Sequence, residues 1–336
     1  MGEKVTKGRD ESQHVADVPN LIDDIKTIDR RKEVAEYINA HPDEFSDALG
    51  SVFSDVSDSN EESKQHILDF VDLLNAKLAI QVIERAIGDS DSKIRVRGLQ
   101  ATYRTRVDSL NPQLIEILED TKEIFEVRKW IVHILASTDP VSYGRVLRNT
   151  ARNNHEDINL RKEAIFALTK VTGDETLGTL CMLLGDSNVE IRESGAWALS
   201  NIGSPDSINC LLAALEDDSE NVRDWAIRGL RNMDNTKALQ GLVDVMTRVS
   251  PSEQVRMIRL VVERKSEIIL RAITQLLDSH DLEVLRVASW ALGVSPYPPA
   301  VPVLKELLNH TDEQVRYYAE VALVRNGEID PTDFQL

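Results

Sequence analysis

The feature of this sequence that most constrains its fold is a unit that recurs every 29 to 33 residues from about residue 90 to the end. Each copy carries an apolar residue followed, in all copies but one, by arginine. These pairs lie at 94–95, 127–128, 160–161, 191–192, 222–223, 255–256, 284–285 and 315–316. A period in this range is typical of solenoids built from two-helix units, in which each unit buries its apolar face against its neighbours.

Side-chain size within the unit indicates how its second helix packs. If the arginine is position 0, positions +3 and +6 carry mostly glycine or alanine and position +7 carries mostly leucine, as at Gly195, Ala198 and Leu199 after Arg192. Spacings of three and four place these residues on one face of a helix. Because no segment alternates with period two, we predict an all-α chain, an α-solenoid of two-helix repeats.

The predicted organisation has four parts. Residues 1–18 are polar and lack periodicity, which predicts a disordered tail. Residues 19–77 have helical but off-period apolar spacing, which is typical of an atypical N-terminal cap with one face toward water. Residues 78–327 form the array of about eight units, and residues 328–336 form a C-terminal tail.

Composition limits the partners and the location. The net charge is −18, although residues 91–170 carry 14 Lys or Arg against 11 Asp or Glu. An acidic chain repels nucleic acid, no apolar run is long enough to span a membrane, and the first residues contain no apolar signal core. We therefore predict a cytoplasmic protein with no nucleic-acid or membrane partner. Its oligomeric state is left open, as is whether the acidity reflects a high-salt cytoplasm or a basic partner.

The chain has two cysteines, Cys181 and Cys210, each inside an apolar helical run. A disulfide framework requires more cysteines in a smaller chain, so we predict two buried free thiols in a reducing compartment.

Residues 191–203 and 222–230 resemble the HEAT repeats of the phycobilisome-lyase-like type, whose second helix reads roughly V-R-x-x-A-A-x-A-L-G-x-I-G. Residues 284–293 follow the same pattern with Leu285 in place of arginine. The resemblance implies that the repeated arginines form a structural ladder with acidic turn residues of neighbouring units. It assigns this role to Arg95, Arg128, Arg161, Arg192, Arg223 and Arg316.

Two units depart from the pattern. The unit around Arg256 has Arg259 at position +3 and Glu263 at position +7, so its second helix cannot bury the usual stripe. The next unit has Leu285, which we expect to interrupt the arginine ladder. These departures indicate either a bend in the array or a unit with a docking role.

Catalytic motifs are not recognisable in the sequence. HEAT-type deoxyhypusine hydroxylases carry repeated His-Glu pairs as iron ligands, whereas His155-Glu156 is the one such pair here. The seven histidines show no zinc-ligand spacing, and there is no P-loop, dinucleotide fingerprint or nucleophile elbow. We therefore predict no enzyme activity, metal or cofactor.

The remaining candidates lie on the surface of the second helices, at positions +2 and +5, which line the concave face in this architecture. Aromatic residues beside arginine are common in interface hot spots, although tryptophan at +5 also serves as a half-buried spacer between helices. The candidate partner-binding residues are Trp130, Phe166, Trp197, Trp225, Arg228 and Trp290. A second candidate is a basic patch for an acidic or phosphorylated partner, although a solvated helical face is the favoured explanation. The patch is formed by Arg95, Arg97, Arg104, Arg106, Lys129, Arg145, Arg148 and Arg152.

These observations favour a non-catalytic scaffold or adaptor that binds a protein partner on its concave face. The resemblance also implies two alternatives, a bilin (phycocyanobilin) lyase-type subunit and an adaptor that couples archaeal taxis signalling to the motility machinery. The sequence names neither the partner nor the pathway.

Overall fold

The computed structural model describes residues 28–54 and 58–333, and all the regular elements within these ranges are α or 3₁₀ helices. The predicted all-α solenoid is thereby confirmed. The tail predicted for residues 1–18 lies outside the described residues, as do the last three residues of the predicted tail at 328–336. In the described part of that tail, Pro331–Asp333 forms a 3₁₀ turn.

The chain divides into two compact units, of which the first contains residues up to 150 together with 154–167. Its helices are α1 (Ile28–Ala40), α2 (Pro42–Ser54), α3 (Asp58–Phe70), α4 (Ala76–Ile87), α5 (Ser92–Thr105), α6 (Asn111–Glu119), α7 (Phe125–Thr138), α8 (Pro140–Arg152) and α9 (Ile158–Leu168), the last two of which end inside the second unit.

Helical hairpins stack on one another in the first unit. Helices α4 and α5 form one hairpin and α6 and α7 the next, and the second helices α5 and α7 pack together. Helices α2 and α3 extend this arrangement in the N-terminal direction, since α2 packs on α4 and α3 packs on α5. Phe45 of α2 and Ile67 of α3 are almost completely buried. This part of the predicted cap is therefore built as a repeat hairpin.

The second unit contains residues 151–153 and 168 onward. Its helices are α10 (Asp174–Leu183), α11 (Val189–Ile202), α12 (Ile208–Ala214), α13 (Glu220–Asn232), α14 (Thr236–Met246), α15 (Pro251–Val261), α16 (Glu267–Gln275), α17 (Leu282–Val294), α18 (Val301–Leu307) and α19 (Glu313–Arg325). They pair in chain order into five hairpins. The second helices α11, α13, α15, α17 and α19 each pack on the next and form one continuous layer.

Capping side chains explain where the second helices begin. Asn188 accepts hydrogen bonds from the N–H groups of Glu190 and Ile191 at the start of α11, and Asp312 accepts one from Val315 at the start of α19. These bonds satisfy N–H groups that have no partner within the helix. Helix α11 ends at Ile202, and the next residue, Gly203, has a φ of 63°, the left-handed conformation that glycine adopts without a steric penalty.

Small residues allow the hairpins to approach closely. A Cβ atom added to Gly98 of α5 would lie 2.8 Å from Cβ of Ala86, and one added to Gly229 of α13 would lie 3.0 Å from Cα of Ser200. Such contacts are shorter than close-packed side chains tolerate. The predicted role of small side chains is therefore confirmed at Gly98, at position +3, and at Gly229, at position +6.

The prediction of two free buried thiols is wrong. Cys181 on α10 and Cys210 on α12 form a disulfide with a Cα–Cα distance of 5.6 Å, and both residues are half-buried. The reason is geometric, because the two cysteines are 29 residues apart. This separation is close to one repeat, so stacking brings equivalent positions of adjacent first helices together. Among the described helices, none is both long and apolar enough to cross a membrane.

Candidate partner-binding site

The predicted contacts of the arginine ladder with acidic residues of the next unit are present at Arg95, Arg128, Arg192 and Arg223, whereas Arg316 binds the carbonyls of His310 and Thr311 in its own turn. The guanidinium group of Arg192 donates to both carboxylate oxygens of Asp217, at 2.8 and 3.1 Å, and to the carbonyl of Asp186 at 3.0 Å. Arg223 continues the pattern with the carbonyl of Asp217 at 2.7 Å and Oε1 of Glu253 at 3.1 Å. Each arginine thus holds its own turn and the turn of the next unit.

The carboxylate of Asp217 shows the electrostatic balance of a ladder contact. Burial of this group favours its neutral form, but the hydrogen bonds from Arg192 and from the N–H group of Ser219 outweigh burial and lower its pKa. Asp217 is consequently ionised at neutral pH and pairs with a permanent cation.

The first unit has the most buried contact of the ladder. Arg128 donates to both oxygens of Glu156 at 2.7 and 2.6 Å and to the carbonyl of Leu118 at 2.9 Å. Both charged side chains are only 7% exposed. Glu156 is the acidic member of the single His-Glu pair in the sequence. Because Arg128 binds both of its oxygens, this carboxylate serves the ladder. Among the residues that the structure describes, no group of three or more His, Cys, Asp or Glu could hold a metal ion.

The expectation that Leu285 interrupts the ladder is wrong. Arg286, one residue later, donates to both carboxylate oxygens of Asp312 in the next turn, with Nε at 3.1 Å from Oδ1. In the preceding unit, Arg256 turns back toward α13, where it forms ion pairs with Asp224 at 2.7 Å and Glu220 at 3.1 Å. The two divergent units are therefore held by a rearranged set of ion pairs.

The basic patch predicted in the first unit is largely paired with acidic side chains. Its ion pairs are Arg95 with Glu123 at 2.7 Å, Arg97 with Asp69 at 3.2 Å, Arg104 with Asp72 at 3.1 Å and Lys129 with Glu126 at 3.8 Å. Arg106 lies over the ring of Tyr103, 5.5 Å from its centroid. Arg145 and Arg152 are exposed on α8, where Arg148 is half-buried. The structure does not bring these eight residues together as one unneutralised surface.

In the first unit, Trp130 of α7 belongs to an aromatic cluster. Its ring centroid lies 5.7 Å from that of His133 in an edge-on arrangement and 6.4 Å from that of Tyr103 on α5. Trp130 is half-buried and His133 is exposed. Phe166 of α9 is 38% exposed, which leaves part of its ring accessible.

In the second unit, the three predicted tryptophans lie on the layer of second helices and all are half-buried. Trp197 is on α11 and Trp225 is on the adjoining helix α13. The exposed Arg228, one turn after Trp225, places its guanidinium carbon 5.6 Å from the centre of the Trp225 ring, within cation–π range. The structure therefore brings Trp225 and Arg228 together, as expected for residues three apart on a helix.

Trp290 of α17 borders a cavity of about 360 Å³ that adjoins three successive second helices. The other side chains around it include Arg259 of α15, Glu283 and Arg286 of α17, and Tyr318 of α19. We did not predict Arg259, Arg286 or Tyr318 as site residues. A signal for Arg259 was present, because arginine stands there at position +3, where the other units carry a small or apolar residue.

Comparison with known proteins identifies the class. The family model for HEAT repeats matches residues 144–231, 202–258 and 239–324, which together span more than half of the chain. The protein therefore belongs to the HEAT-repeat family. The matched model is the general one and leaves the phycobilisome-lyase-like type unconfirmed. No protein with a curated description matches the sequence.

Solved structures share the fold at low sequence identity. The Kap95:Nup1 complex matches at 12% identity with a TM-score of 0.56, over 94% of this chain and 52% of that chain. Kap121p matches at 12% identity with a TM-score of 0.52, over 91% and 41%. Human deoxyhypusine hydroxylase matches at 18% identity, over 85% and 96%, but with a TM-score of only 0.33. The likenesses to Kap95 and Kap121p show the fold alone.

Proposed function

We propose that the protein is a non-catalytic adaptor that binds a protein partner on the layer of second helices, the concave face expected for this architecture. The observation that carries the proposal is the partial exposure of Trp197, Trp225 and Trp290 on this layer. Tryptophan buries a large area with few rotatable bonds, so its ordering costs little entropy when a partner covers it. Trp130 and Phe166 occupy the same positions in the first unit and are part of the proposal.

The surroundings of these tryptophans support a rigid binding surface. The ladder bonds of Arg192 and Arg223 link three consecutive turns, and the second helices below them pack on one another. A surface already fixed in its bound form loses little conformational entropy on association. The Kap95:Nup1 complex provides an example in which a chain of similar fold is found with another protein.

Other functions receive less support from the described contacts. The basic patch is not included, because ion pairs with acidic residues neutralise half of its members. No contact in the described ranges favours the bilin-lyase or the taxis alternative. The overall charge of −18 disfavours nucleic acid.

A pull-down with the tagged protein tests the proposal. We expect the double variant Trp197→Ala/Trp225→Ala to recover about tenfold less partner than the wild type, at both low and high salt, because the lost contacts are mainly apolar. The matched control is Met182→Ala, which removes a side chain that is 57% exposed on the first helix α10. A thermal melt verifies that all variants are folded. Unchanged recovery by the double variant would exclude this face as the binding site.

A further inference from the structure

The two units that depart from the repeat pattern meet at the Trp290 cavity. Arg259, which replaces a small or apolar residue at position +3, and Arg286, which takes over the ladder contact beside Leu285, both border it. In regular units position +3 serves packing between hairpins, as at Gly98. Here two guanidinium groups and two aromatic rings surround one opening.

The cavity has an apolar interior and a charged rim. Trp290 and Tyr318 are half-buried and Val287 is buried, whereas the side chains of Arg259 and Glu283 are 58% and 52% exposed. Its volume of about 360 Å³ is at the small end of ligand pockets, which is the size for one anchoring side chain with its adjoining backbone. An apolar interior with polar groups at the mouth is the usual form of a specificity pocket.

The guanidinium groups at the rim have more N–H donors than their present contacts use. Arg286 is bound to Asp312, and Glu283 lies between the two arginines, at 3.3 Å from Arg259 and 3.7 Å from Arg286. Because Arg259 and Glu283 are largely exposed, their ion pair contributes little, about 0–1 kcal/mol. Arg259 can therefore turn part of its five-donor guanidinium group toward an incoming carboxylate.

We infer that the Trp290 cavity is an anchor pocket for an extended segment of the protein partner, in which an aromatic or large aliphatic side chain adjoins an acidic residue. The apolar side chain packs on Trp290 and Tyr318, and the acidic residue pairs with Arg259. This inference rests on the proposed function, since it assigns one subsite of the same layer of second helices.

The acidic segment fits the pocket although the chain as a whole is acidic. Charges separated by more than about 8 Å are largely screened at physiological ionic strength, so the residues at the rim decide the sign that the partner meets. Asp312 neutralises Arg286, and Glu283 contacts both arginines, so the preference for an acid rests on the N–H donors of Arg259 that its contact with Glu283 does not use. A basic residue at the same place would have to compete with Arg259 and Arg286 for Glu283.

Short synthetic peptides labelled with a fluorescent dye test this inference by anisotropy. One peptide carries Asp-Phe in a Gly/Ser background, and its two counterparts carry Lys-Phe and Asp-Ser. We expect the Asp-Phe peptide to bind the full chain at least tenfold more tightly than either counterpart. We expect Arg259→Ala to weaken its binding about threefold to fivefold, because an ion pair of a largely exposed arginine contributes at most about 1 kcal/mol. Alanine is the residue at +3 in other units, so this variant is expected to fold.

The control is Arg271→Ala, which removes an arginine that is 67% exposed on the first helix α16, outside the layer of second helices, and should leave the affinity unchanged. The inference fails if the Asp-Phe and Lys-Phe peptides bind equally, if Arg259→Ala binds like the wild type, or if no peptide binds up to about 1 mM. Tighter binding of the Lys-Phe peptide would assign the pocket to a basic segment instead. In each case, loss of partner recovery by Trp197→Ala/Trp225→Ala would show that the broader proposal still holds.

Discussion

The regular and divergent units of the second half use the same kind of ion pair in different arrangements. Arg192 reaches forward to the turn of the next unit and binds Asp217 there. Arg256 occupies the equivalent position but binds backward to Asp224, and the forward contact to Asp312 is made by Arg286. The acid that is bound lies in a turn in both forward contacts, whereas the arginine that binds it stands at different positions of the repeat. The acidic turn residue is thus the constant member of the ladder contact.

The two arrangements also differ in how many partners each charge has. Glu253 accepts hydrogen bonds from both Arg223 and Arg256, so the divergent region contains a network. The contact between Arg128 and Glu156 in the first unit is a single bidentate pair that is almost completely buried. Loss of one member should be more costly in the isolated pair, because the remaining charge has no substitute partner.

We expect the largest effect from Arg128→Met. Removal of the guanidinium group leaves Glu156 buried and unpaired, which should lower the free energy of unfolding by about 3–5 kcal/mol. Urea denaturation followed by circular dichroism measures the change. The matched substitution Arg256→Met should cost less, because Glu253 keeps Arg223 and the side chains of Asp224 and Glu220, which also lose Arg256, are 27% and 68% exposed to water. Equal losses from the two substitutions would remove the distinction between pair and network.

The regular region is also cross-linked between α10 and α12. Closing 29 residues with the disulfide between Cys181 and Cys210 should stabilise the fold by about 3–4 kcal/mol in the chain-entropy model. We expect the double variant Cys181→Ser/Cys210→Ser to unfold at correspondingly lower urea concentration. Alkylation of the native protein without reductant, followed by mass spectrometry, shows whether the two cysteines are joined or free. Labelling of both cysteines in the native wild type would restore the free-thiol prediction.

Position +3 allows a comparison between units at one repeat position. We expect Gly98→Ala to destabilise the protein by about 1–3 kcal/mol, because the new methyl group would overlap Ala86. Gly195→Ala should be tolerated, since its nearest contacts would be at 3.5 Å, and Arg259→Ala should be tolerated because the arginine side chain is 58% exposed. Thermal melts rank the three variants by stability. Similar losses at Gly98 and Gly195 would contradict the packing difference.

The smallest expected effect is a pH dependence of the rearranged ladder contact. The hydrogen bond from Arg286 lowers the pKa of Asp312 from 3.8 to about 2. Because the folded-state pKa lies below the unfolded value, the stabilisation is complete above about pH 4 and is lost as the pH falls toward 2. NMR titration of the Asp312 carboxyl carbon measures the pKa. In Arg286→Leu it should rise toward 3.8, and an unchanged value would exclude Arg286 as the main cause.

Much of the fold could be predicted from the sequence, because the repeat encodes local packing several times over. Gly195, Ala198 and Leu199 recur with helical spacing, and the polar turn residue Asn188 caps the helix that the pattern predicts. The tryptophans could be placed on the second helices for the same reason. The cavity at Trp290 could not be predicted, since it depends on how three helices from different units meet.

The sequence by itself therefore determined the helical period, the stripe of small residues on the second helices and the place of the repeated arginines on those helices. All three follow from the spacing of residues within one or two helical turns. The tertiary structure alone decided which acid each arginine binds, that Cys181 and Cys210 meet, and that Arg259 and Arg286 border the same cavity. These contacts join residues about one repeat apart. A difference of a few residues in repeat length changes which side chains face each other, and stacking of the folded hairpins is what selects among them.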